Sequence, residues 1–340
     1  MGDYVTSRNN IWSSMSLLQY IFNNIFRIMK ANNSSFAWLV YCKILLLLVV
    51  FALEVSTVKA GNEHVFTDTI PIVEHEGHIL MPVTINHKLK HLVFDTGSMY
   101  LSLWSKDITS KMKSIRNSSD SVKKVTNTDL EVGRELVSFG TQCDSLIACY
   151  LIFPDKMNDK WGRIGDGTMG FCPLIKRGLG YFVKVDLRKG IMIVSNDHRW
   201  VKQTKGIKVS YTKCDALPTF NVTIGKKHKM RIALDSGAAH FCTVGSSILN
   251  KWENTDKDFK NCKSFEKMVS ESYICDTTLV KRKARGYKCD FAIKSFIIKD
   301  AVVIENRPDH IDSIGEEIFH KAAISFDPWH RKIIFQPYYK

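Results

Sequence analysis

Several features that mark whole classes of proteins are scarce in this sequence of 340 residues. Eight prolines and 19 glycines are too few for a collagen-like or proline-rich chain. Nine cysteines are too few for a small disulfide scaffold, and there is no Cys-x-x-Cys pair of the kind that binds zinc. No basic stretch is interleaved with aromatic residues, which argues against nucleic-acid binding. Hydrophobic residues make up 45% of the chain, so we expect one or two globular domains.

The sequence is basic, with a formal net charge of +14 at pH 7. Such a charge attracts acidic partners and membrane surfaces at long range, and it also keeps a globular protein soluble. Five histidines between positions 64 and 91 lack the spacing that is typical of metal ligands. We therefore expect no metal site, and solubility is the simplest interpretation of the charge.

An apolar segment near the N-terminus is the clearest sign of where the protein goes. Its uninterrupted part, Ile44 to Leu53, is ten residues long, which is short for a membrane span and typical of a signal peptide. Small residues at Val58 and Ala60 suit a cleavage site before Gly61. We expect residues 1–60 to be a signal peptide or, if uncut, a signal anchor that binds the membrane through residues 36–53. This predicts a protein of the secretory pathway, either secreted or held in an endomembrane lumen.

Eight of the nine cysteines follow this leader. An even number of cysteines in a secreted chain indicates disulfide bonds, although the sequence leaves their connectivity open. Two pairs would close local loops, namely Cys143 with Cys149 and Cys262 with Cys289.

Beyond Gly61, short apolar runs separated by turns predict an all-β protein. The runs at 78–85 and 90–94 are expected to pair around a turn at Asn86 and His87.

Two of the apolar runs end in closely similar turns. The first leads into D-T-G-S at positions 95–98, and the second leads into D-S-G-A at positions 235–238. Hydrophobic-glycine segments follow at similar distances, with Gly170 75 residues after Asp95 and Gly315 80 residues after Asp235.

A third matched feature follows each glycine segment. Residues 185–194 and 326–335 both have the pattern of a strand, a tight turn and a second strand. Three matched features in the same order indicate a duplicated architecture. We expect an N-terminal lobe over residues 61–205 and a C-terminal lobe over residues 206–340.

The paired Asp turns have a chemical interpretation. A carboxylate at the end of a buried strand is costly unless hydrogen bonds compensate for its burial. The hydroxyl groups of Thr96 and Ser236 can bond the backbone of the opposite turn, and Ser98 supplies a further hydroxyl. If a two-fold relation brings Asp95 and Asp235 face to face, the two carboxyls share one proton. One then acts as an acid and the other as a base, which suits the activation of a water molecule.

Gly97 and Gly237 let the two turns bend and bring backbone N–H groups near the carboxylates, and Ala238 ends the second motif with a small side chain. A single D-T-G or D-S-G triplet is often only a turn. Two of them, each following an apolar run and each followed by a hydrophobic-glycine segment, favour a functional site.

These segments resemble the signature motifs of pepsin-like aspartic proteases over residues 70–340. The motifs are VFDTGS at 93–98, DGTMGF at 166–171, ALDSGA at 233–238 and the stretch from SIGEEIF to ISFDPWHRKIIF at 313–335. The resemblance implies a bilobal double β-barrel with the active-site cleft between pseudo-two-fold related lobes. It also implies that Asp95 and Asp235 are the catalytic pair of an aspartic endopeptidase. We expect a monomer that needs no cofactor or metal and takes a polypeptide substrate in the cleft.

Two departures from the family pattern keep a second hypothesis open. The family has a β-hairpin flap with a tyrosine, whereas the best flap candidate here, residues 125–133, has no aromatic residue. Ala238 also replaces a hydroxyl residue that often follows the D-[TS]-G triplet. The alternative is a catalytically weak or inactive pepsin-like protein that binds peptides or partner proteins in its cleft.

Overall fold

The computed structural model of the chain describes residues 65–98, 100–104, 130–151, 164–171, 180–214, 217–271, 280–307 and 310–338. Strands dominate these ranges, and the predicted all-β class is confirmed. The predicted leader over residues 1–60 lies outside the described residues, and so do positions 125–129 of the flap candidate.

One sheet is built from the first half of the described chain. Its strands are β2 (Val73–His75), β3 (His78–Ile85), β4 (Lys88–Asp95), β5 (Leu101–Trp104), β6 (Leu130–Phe139), β7 (Gln142–Leu151) and β8 (Gly167–Gly170). Their spatial order is β2-β3-β4-β8-β5-β7-β6, with a further pairing of β3 with β6. Only the β4–β8 and β5–β7 pairs are parallel.

The hairpin of β3 and β4 shows how the sequence shapes this sheet. The predicted turn at Asn86 and His87 is confirmed, and both residues have a positive φ, 48° and 67°. Two consecutive positive φ values are typical of the tight hairpin turn whose twist matches that of the flanking strands. The hairpin register pairs Ile85 with Lys88 and Leu80 with Val93, and it carries the chain directly into Asp95.

A second sheet is built from the second half. Its strands are β12 (Thr212–Cys214), β13 (Leu217–Ile224), β14 (His228–Leu234), β15 (Cys242–Gly245), β16 (Lys263–Glu271), β17 (Val280–Ile293), β18 (Phe296–Asn306) and β19 (Ser313–Ile314). Their spatial order is β12-β13-β14-β19-β15-β18-β17-β16, with a further pairing of β13 with β17. Apart from the extra strand β16, this order repeats that of the first sheet strand for strand. The duplication that the motifs predict is therefore present in the sheet topology.

The third sheet takes three strands from each half. Its strands are β1 (Thr67–Pro71), β9 (Phe182–Asp186), β10 (Ile191–Ser195), β11 (Ile207–Ser210), β20 (Ala322–Asp327) and β21 (Lys332–Pro337). Their order is β1-β10-β9-β20-β21-β11, so the antiparallel β9–β20 pair joins the two halves at the centre. Both predicted strand–turn–strand patterns are confirmed here, by β9–β10 and by β20–β21. The boundary near residues 205 and 206 stays a prediction.

Buried aromatic rings lie where the three sheets meet. Phe94 contacts Phe326 and Phe319 edge to face, with ring centroids 6.1 and 6.4 Å apart, and Phe171 contacts Phe326 at 5.0 Å. All four side chains are fully buried. Since Phe94 directly precedes Asp95, this aromatic cluster packs against the end of the strand that carries the first Asp turn. Residues 66–340 form one compact unit.

Helices are short and peripheral to the sheets in the described ranges. Three are α-helical, α1 (Arg199–Gln203), α2 (Ser246–Thr255) and α3 (Lys257–Lys260). Two more are 3₁₀ helices, which we call η1 (Leu187–Lys189) and η2 (Glu316–His320). The second of these follows Gly315 immediately and is close to the second Asp turn.

The structure corrects one expectation about the cysteines. Cys143 and Cys149 both lie in strand β7, six residues apart, which is about 20 Å along an extended chain. A disulfide needs Cα atoms within about 7 Å, so the predicted Cys143–Cys149 bridge is wrong. Cys262 and Cys289 carry free thiols that are in hydrogen-bond contact with each other. The bridge between these two stays a prediction.

Candidate active site

Each Asp turn follows the buried end of a strand that lies inside its sheet. In β4 the last four residues are buried, and in β14 the last three are buried. Each of these strands has an antiparallel neighbour on one side and a parallel neighbour, β8 or β19, on the other. Strand segments covered on both faces need apolar side chains throughout, which explains the apolar triplets before Asp95 and Asp235.

The two turns are held together by crossed hydroxyl groups. The Thr96 hydroxyl donates to the carbonyl oxygen of Leu234 at 2.7 Å and accepts from the N–H of Ser236 at 2.9 Å. In the mirrored arrangement, the Ser236 hydroxyl donates to the carbonyl oxygen of Phe94 at 2.8 Å and accepts from the N–H of Thr96 at 2.9 Å. Both hydroxyl residues are fully buried. The predicted bonds across the opposite turn are therefore present, and they are reciprocal.

Glycine is required in both turns because the carboxyl groups occupy the space where a side chain would start. A Cβ at Gly97 would lie 2.7 Å from the Asp235 carboxyl carbon and 3.0 Å from Asp95 Oδ1. A Cβ at Gly237 would lie 2.6 Å from Asp95 Oδ1. Each glycine N–H also donates to the carboxylate of its own turn, Gly97 to Asp95 Oδ1 at 2.7 Å and Gly237 to Asp235 Oδ1 at 3.2 Å. Each carboxyl group thus lies against the glycine of the opposite turn.

Burial and proximity change the acidity of the two carboxyl groups. Burial raises the pKa of Asp95 well above its ordinary value, and the neighbouring Asp235 raises it further. Burial also raises the pKa of Asp235, although its hydrogen bond with Asp95 acts in the opposite sense. The Gly97 and Gly237 N–H groups partly offset both shifts because they favour the ionised form. The two carboxyl groups therefore share one proton, because they cannot readily both be ionised while they lie this close together.

Ser98 and Ala238 support the turns through their backbones. The Ser98 hydroxyl donates to the carbonyl oxygen of Tyr100 at 3.1 Å, so it does not serve the carboxylates as a further donor. The Ser98 N–H instead lowers the pKa of Asp95 by hydrogen bonding. Ala238 N–H donates to the Asp235 carbonyl oxygen at 3.1 Å, which closes the second turn. A missing hydroxyl at position 238 leaves this arrangement intact.

The hydrophobic-glycine segments also support the two Asp turns, through close contacts between backbone groups. A Cβ at Gly170 would lie 2.5 Å from the Tyr100 carbonyl oxygen, and a Cβ at Gly315 would overlap the carbonyl oxygens of Ala238 and His240. Phe171 N–H donates to Ser98 at 3.0 Å, and Glu316 N–H donates to Ala238 at 2.8 Å. These glycines are needed because two backbone segments pass within hydrogen-bonding distance.

Sequence reasoning missed two parts of the surroundings. The aromatic cluster below Asp95 combines residues from distant segments, and no local pattern indicates that they meet. The burial of Glu316 was also missed, although its position next to Gly315 is a signal that points to it. The flap candidate is described only from residue 130 onward, where it forms the start of β6. Tyr150 lies in β7, between β5 and β6 in the sheet, as expected for a residue outside the flap.

No protein-family model and no curated protein sequence matches this chain. Within the described ranges, none of the helices combines the length and the apolar character needed to cross a membrane.

Proposed function

We propose that this protein is an aspartic endopeptidase and that Asp95 and Asp235 are its catalytic pair. The observation that carries the proposal is the close approach of the buried Asp95 carboxyl group and the partly exposed Asp235 carboxyl group, each at the end of an equivalent strand and each hydrogen-bonded in its own turn. A carboxyl pair that shares one proton is costly to bury. The crossed hydroxyls and the two turn glycines nevertheless hold the two carboxyl groups together. A fold that maintains such an unfavourable arrangement supports a chemical role for the pair.

The pair can activate a water molecule without a metal or a covalent intermediate. Asp235, as the charged member, takes a proton from a water held between the carboxyls while the water oxygen attacks the scissile carbonyl carbon. Asp95 gives its proton to the carbonyl oxygen, so the tetrahedral intermediate is a neutral diol. Asp235 then gives the proton that it took from the water to the leaving nitrogen, and the C–N bond breaks. One diol hydroxyl returns its proton to Asp95 as the new carboxyl group forms, so the pair regains its starting state with one shared proton.

The repeated strand order supports the finer part of the proposal, a bilobal pepsin-like double barrel with the substrate cleft between its lobes. The seven strands of the first sheet recur in the same order in the second. In such an arrangement the two Asp turns are equivalent and lie on the two-fold axis. The proposed substrate is an extended polypeptide in the cleft, and the proposed assembly is a monomer.

The second candidate function is peptide or partner binding with weak or absent catalysis. It is favoured by one sequence observation, namely that the flap candidate at 125–133 has no aromatic residue to cover a substrate. The proton-sharing carboxyl pair argues against it, because a binding cleft has no need of such a pair.

Digestion of an unstructured peptide library by the purified protein, scanned from pH 3 to pH 7, tests the proposal. We expect cleavage by the wild type and none by Asp95→Asn or Asp235→Asn, because either amide removes one member of the acid–base pair. Asp300→Asn is the matched control. Asp300 is exposed at a positive φ of 50°, where asparagine is well tolerated, so this variant keeps wild-type activity.

Two results would contradict the proposal. One is cleavage by either dyad variant at more than a few per cent of the wild-type rate with an unchanged circular dichroism spectrum. The other is the absence of cleavage by the wild type at every pH, together with measurable peptide binding, which would establish the binding function instead.

We further propose that the protein enters the secretory pathway through the segment at 1–60. The support is the ten-residue apolar run followed by small residues before Gly61. N-terminal sequencing of protein recovered from secreting cells tests this. A mature terminus at or near Gly61 supports cleavage, a membrane-bound chain that keeps the leader supports an anchor, and a cytosolic full-length chain contradicts both.

A further inference from the structure

A second cluster of ionisable side chains lies outside the Asp95–Asp235 pair. It combines Glu74 of β2 with Glu316 and His320, which are the first and last residues of η2. One ligand atom from each residue lies within 4.8 Å of the other two. Because Glu74 and Glu316 come from opposite ends of the sequence, only the folded protein brings these three groups together.

Glu316 is the unusual member of this cluster. Its side chain is only 2% exposed, whereas its neighbour Glu317 is exposed. Glu316 Oε1 is buried without a hydrogen-bond partner and lies 3.3 Å from His320 Nε2. A buried carboxylate oxygen without a partner is strongly unfavourable unless a cation or a proton compensates for it. Glu316 Oε1 therefore has no hydrogen bond from the described residues, and the His320 imidazole beside it compensates for its charge only when that imidazole is protonated.

Two of the three distances within the cluster match those between ligands of one small cation. His320 Nε2 lies 3.4 Å from Glu74 Oε2 and 3.3 Å from Glu316 Oε1. Oxygen and nitrogen ligands bind zinc at about 2.0–2.2 Å, so the edges of a tetrahedral site measure about 3.3–3.6 Å. We propose that Glu74, Glu316 and His320 bind a divalent zinc ion, with a water molecule in the fourth position.

The ligand set favours zinc over the more abundant hard cations. Calcium takes six to eight oxygen ligands and magnesium requires an octahedron of oxygens, whereas an imidazole with two carboxylates suits zinc. The side chains of Glu74 and His320 are 39% and 41% exposed, so the ion can enter from solvent. Burial raises the pKa of the Glu316 carboxyl to about 7, and a bound cation would favour its ionised form.

An ion at this position would link two distant segments of the chain. Glu316 N–H donates to the carbonyl oxygen of Ala238, in the turn that carries Asp235. An ion bound by Glu316 and by Glu74 would connect strand β2 of the first sheet to the support of the second Asp turn. Zinc binding is thus expected to stabilise the whole protein, and this expectation is independent of any peptide cleavage.

Isothermal titration calorimetry of the chelator-treated full-length protein with ZnCl₂ tests the proposal, with thermal unfolding as a second measurement. We expect one tight equivalent of zinc for the wild type and a higher Tm in its presence. Glu74→Gln and His320→Asn should each lower the affinity at least tenfold, as loss of a ligand does. Both residues are half exposed, so these variants are expected to fold even if Glu316→Gln does not. Glu317→Gln is the matched control and should bind as the wild type does.

The absence of a tight equivalent in the wild type would overturn the proposal. So would equal zinc binding by the wild type, Glu74→Gln and His320→Asn, which would place the ion at other histidines. Displacement of zinc by millimolar magnesium or calcium would overturn the choice of zinc. X-ray absorption at the zinc edge, with a first shell of oxygen and nitrogen at about 2.0–2.1 Å, would support it.

Discussion

Replacing Thr96 with valine tests whether the crossed hydroxyls hold the two Asp turns together. Valine has nearly the same shape as threonine but carries no hydroxyl, so packing is kept while two hydrogen bonds are lost. The buried Leu234 carbonyl oxygen and the buried Ser236 N–H each lose the partner that the structure gives them. The substitution therefore isolates the energetic effect of one polar group.

The expected destabilisation follows from the number of groups left without partners. Each buried, unsatisfied backbone group costs about 1–3 kcal/mol, so two groups lower the free energy of unfolding by about 2–6 kcal/mol. Thr96→Ser keeps the hydroxyl and loses one methyl group, which costs about 0.8 kcal/mol. Since single proteins are stable by only about 5–15 kcal/mol, the valine variant approaches the limit of folding.

Equilibrium unfolding in urea, followed by tryptophan fluorescence at 25 °C, measures this difference. With an m-value of about 3 kcal/mol/M, the midpoint of Thr96→Val should fall by about 0.7–2 M, and that of Thr96→Ser by about 0.3 M. Ser236→Ala should behave like Thr96→Val, because it removes the partners of Thr96 N–H and the Phe94 carbonyl oxygen. A Thr96→Val midpoint equal to that of Thr96→Ser would refute the reasoning.

Three further outcomes are expected. Gly97→Ala should lower peptide cleavage about 100-fold, because the new Cβ displaces the carboxyl group of Asp235. Gly245→Ala is the control and should keep wild-type cleavage, because its Cβ would meet only Asp312 Oδ1 at 3.6 Å. In the unfolded chain Asp95 releases its proton above about pH 3.8, whereas its raised pKa in the folded protein keeps the proton bound. The free energy of unfolding of the wild type should therefore fall as the pH rises from 4 to 7. Asp95→Asn should show a smaller decline, because Asp235 and Glu316 keep their raised pKa values, and it should be the more stable protein at pH 7 in urea unfolding. A decline as steep as that of the wild type would contradict the shift. Peptide mapping of unreduced protein from secreting cells should find Cys262 bound to Cys289 and never Cys143 bound to Cys149.

Local sequence patterns predicted the parts of the fold that local chemistry determines. The β3–β4 hairpin was predicted because Asn86 and His87 suit a turn with positive φ between alternating strands. The Asp turns were predicted because Gly97 and Gly237 have no substitute where two carboxyl groups approach. The matched order of motifs predicted the duplicated topology, since equivalent sequences form equivalent strands.

Contacts between distant segments could not be predicted in the same way. Glu316 and Glu74 come from opposite ends of the sequence, so no local pattern indicates that they lie together. The Cys143–Cys149 pairing was wrong because the intervening residues form an extended strand, where a loop had been assumed. The Ser98 hydroxyl was assigned to the carboxylates, but the carbonyl oxygen of Tyr100 is nearer along its own turn.

The sheet shared by the two halves makes the first Asp turn depend on strands that are synthesised long after it. Strand β9 pairs with β20, and Phe94 and Phe171 pack on Phe326 within β20. Until residues 322–337 leave the ribosome, β9 presents an unpaired edge, and Phe94 and Phe171 lack their contact with Phe326, which exposes the nascent chain to aggregation. A stop codon shortly before Ala322 would therefore remove packing that supports Asp95, although Asp95 lies in the first half of the chain.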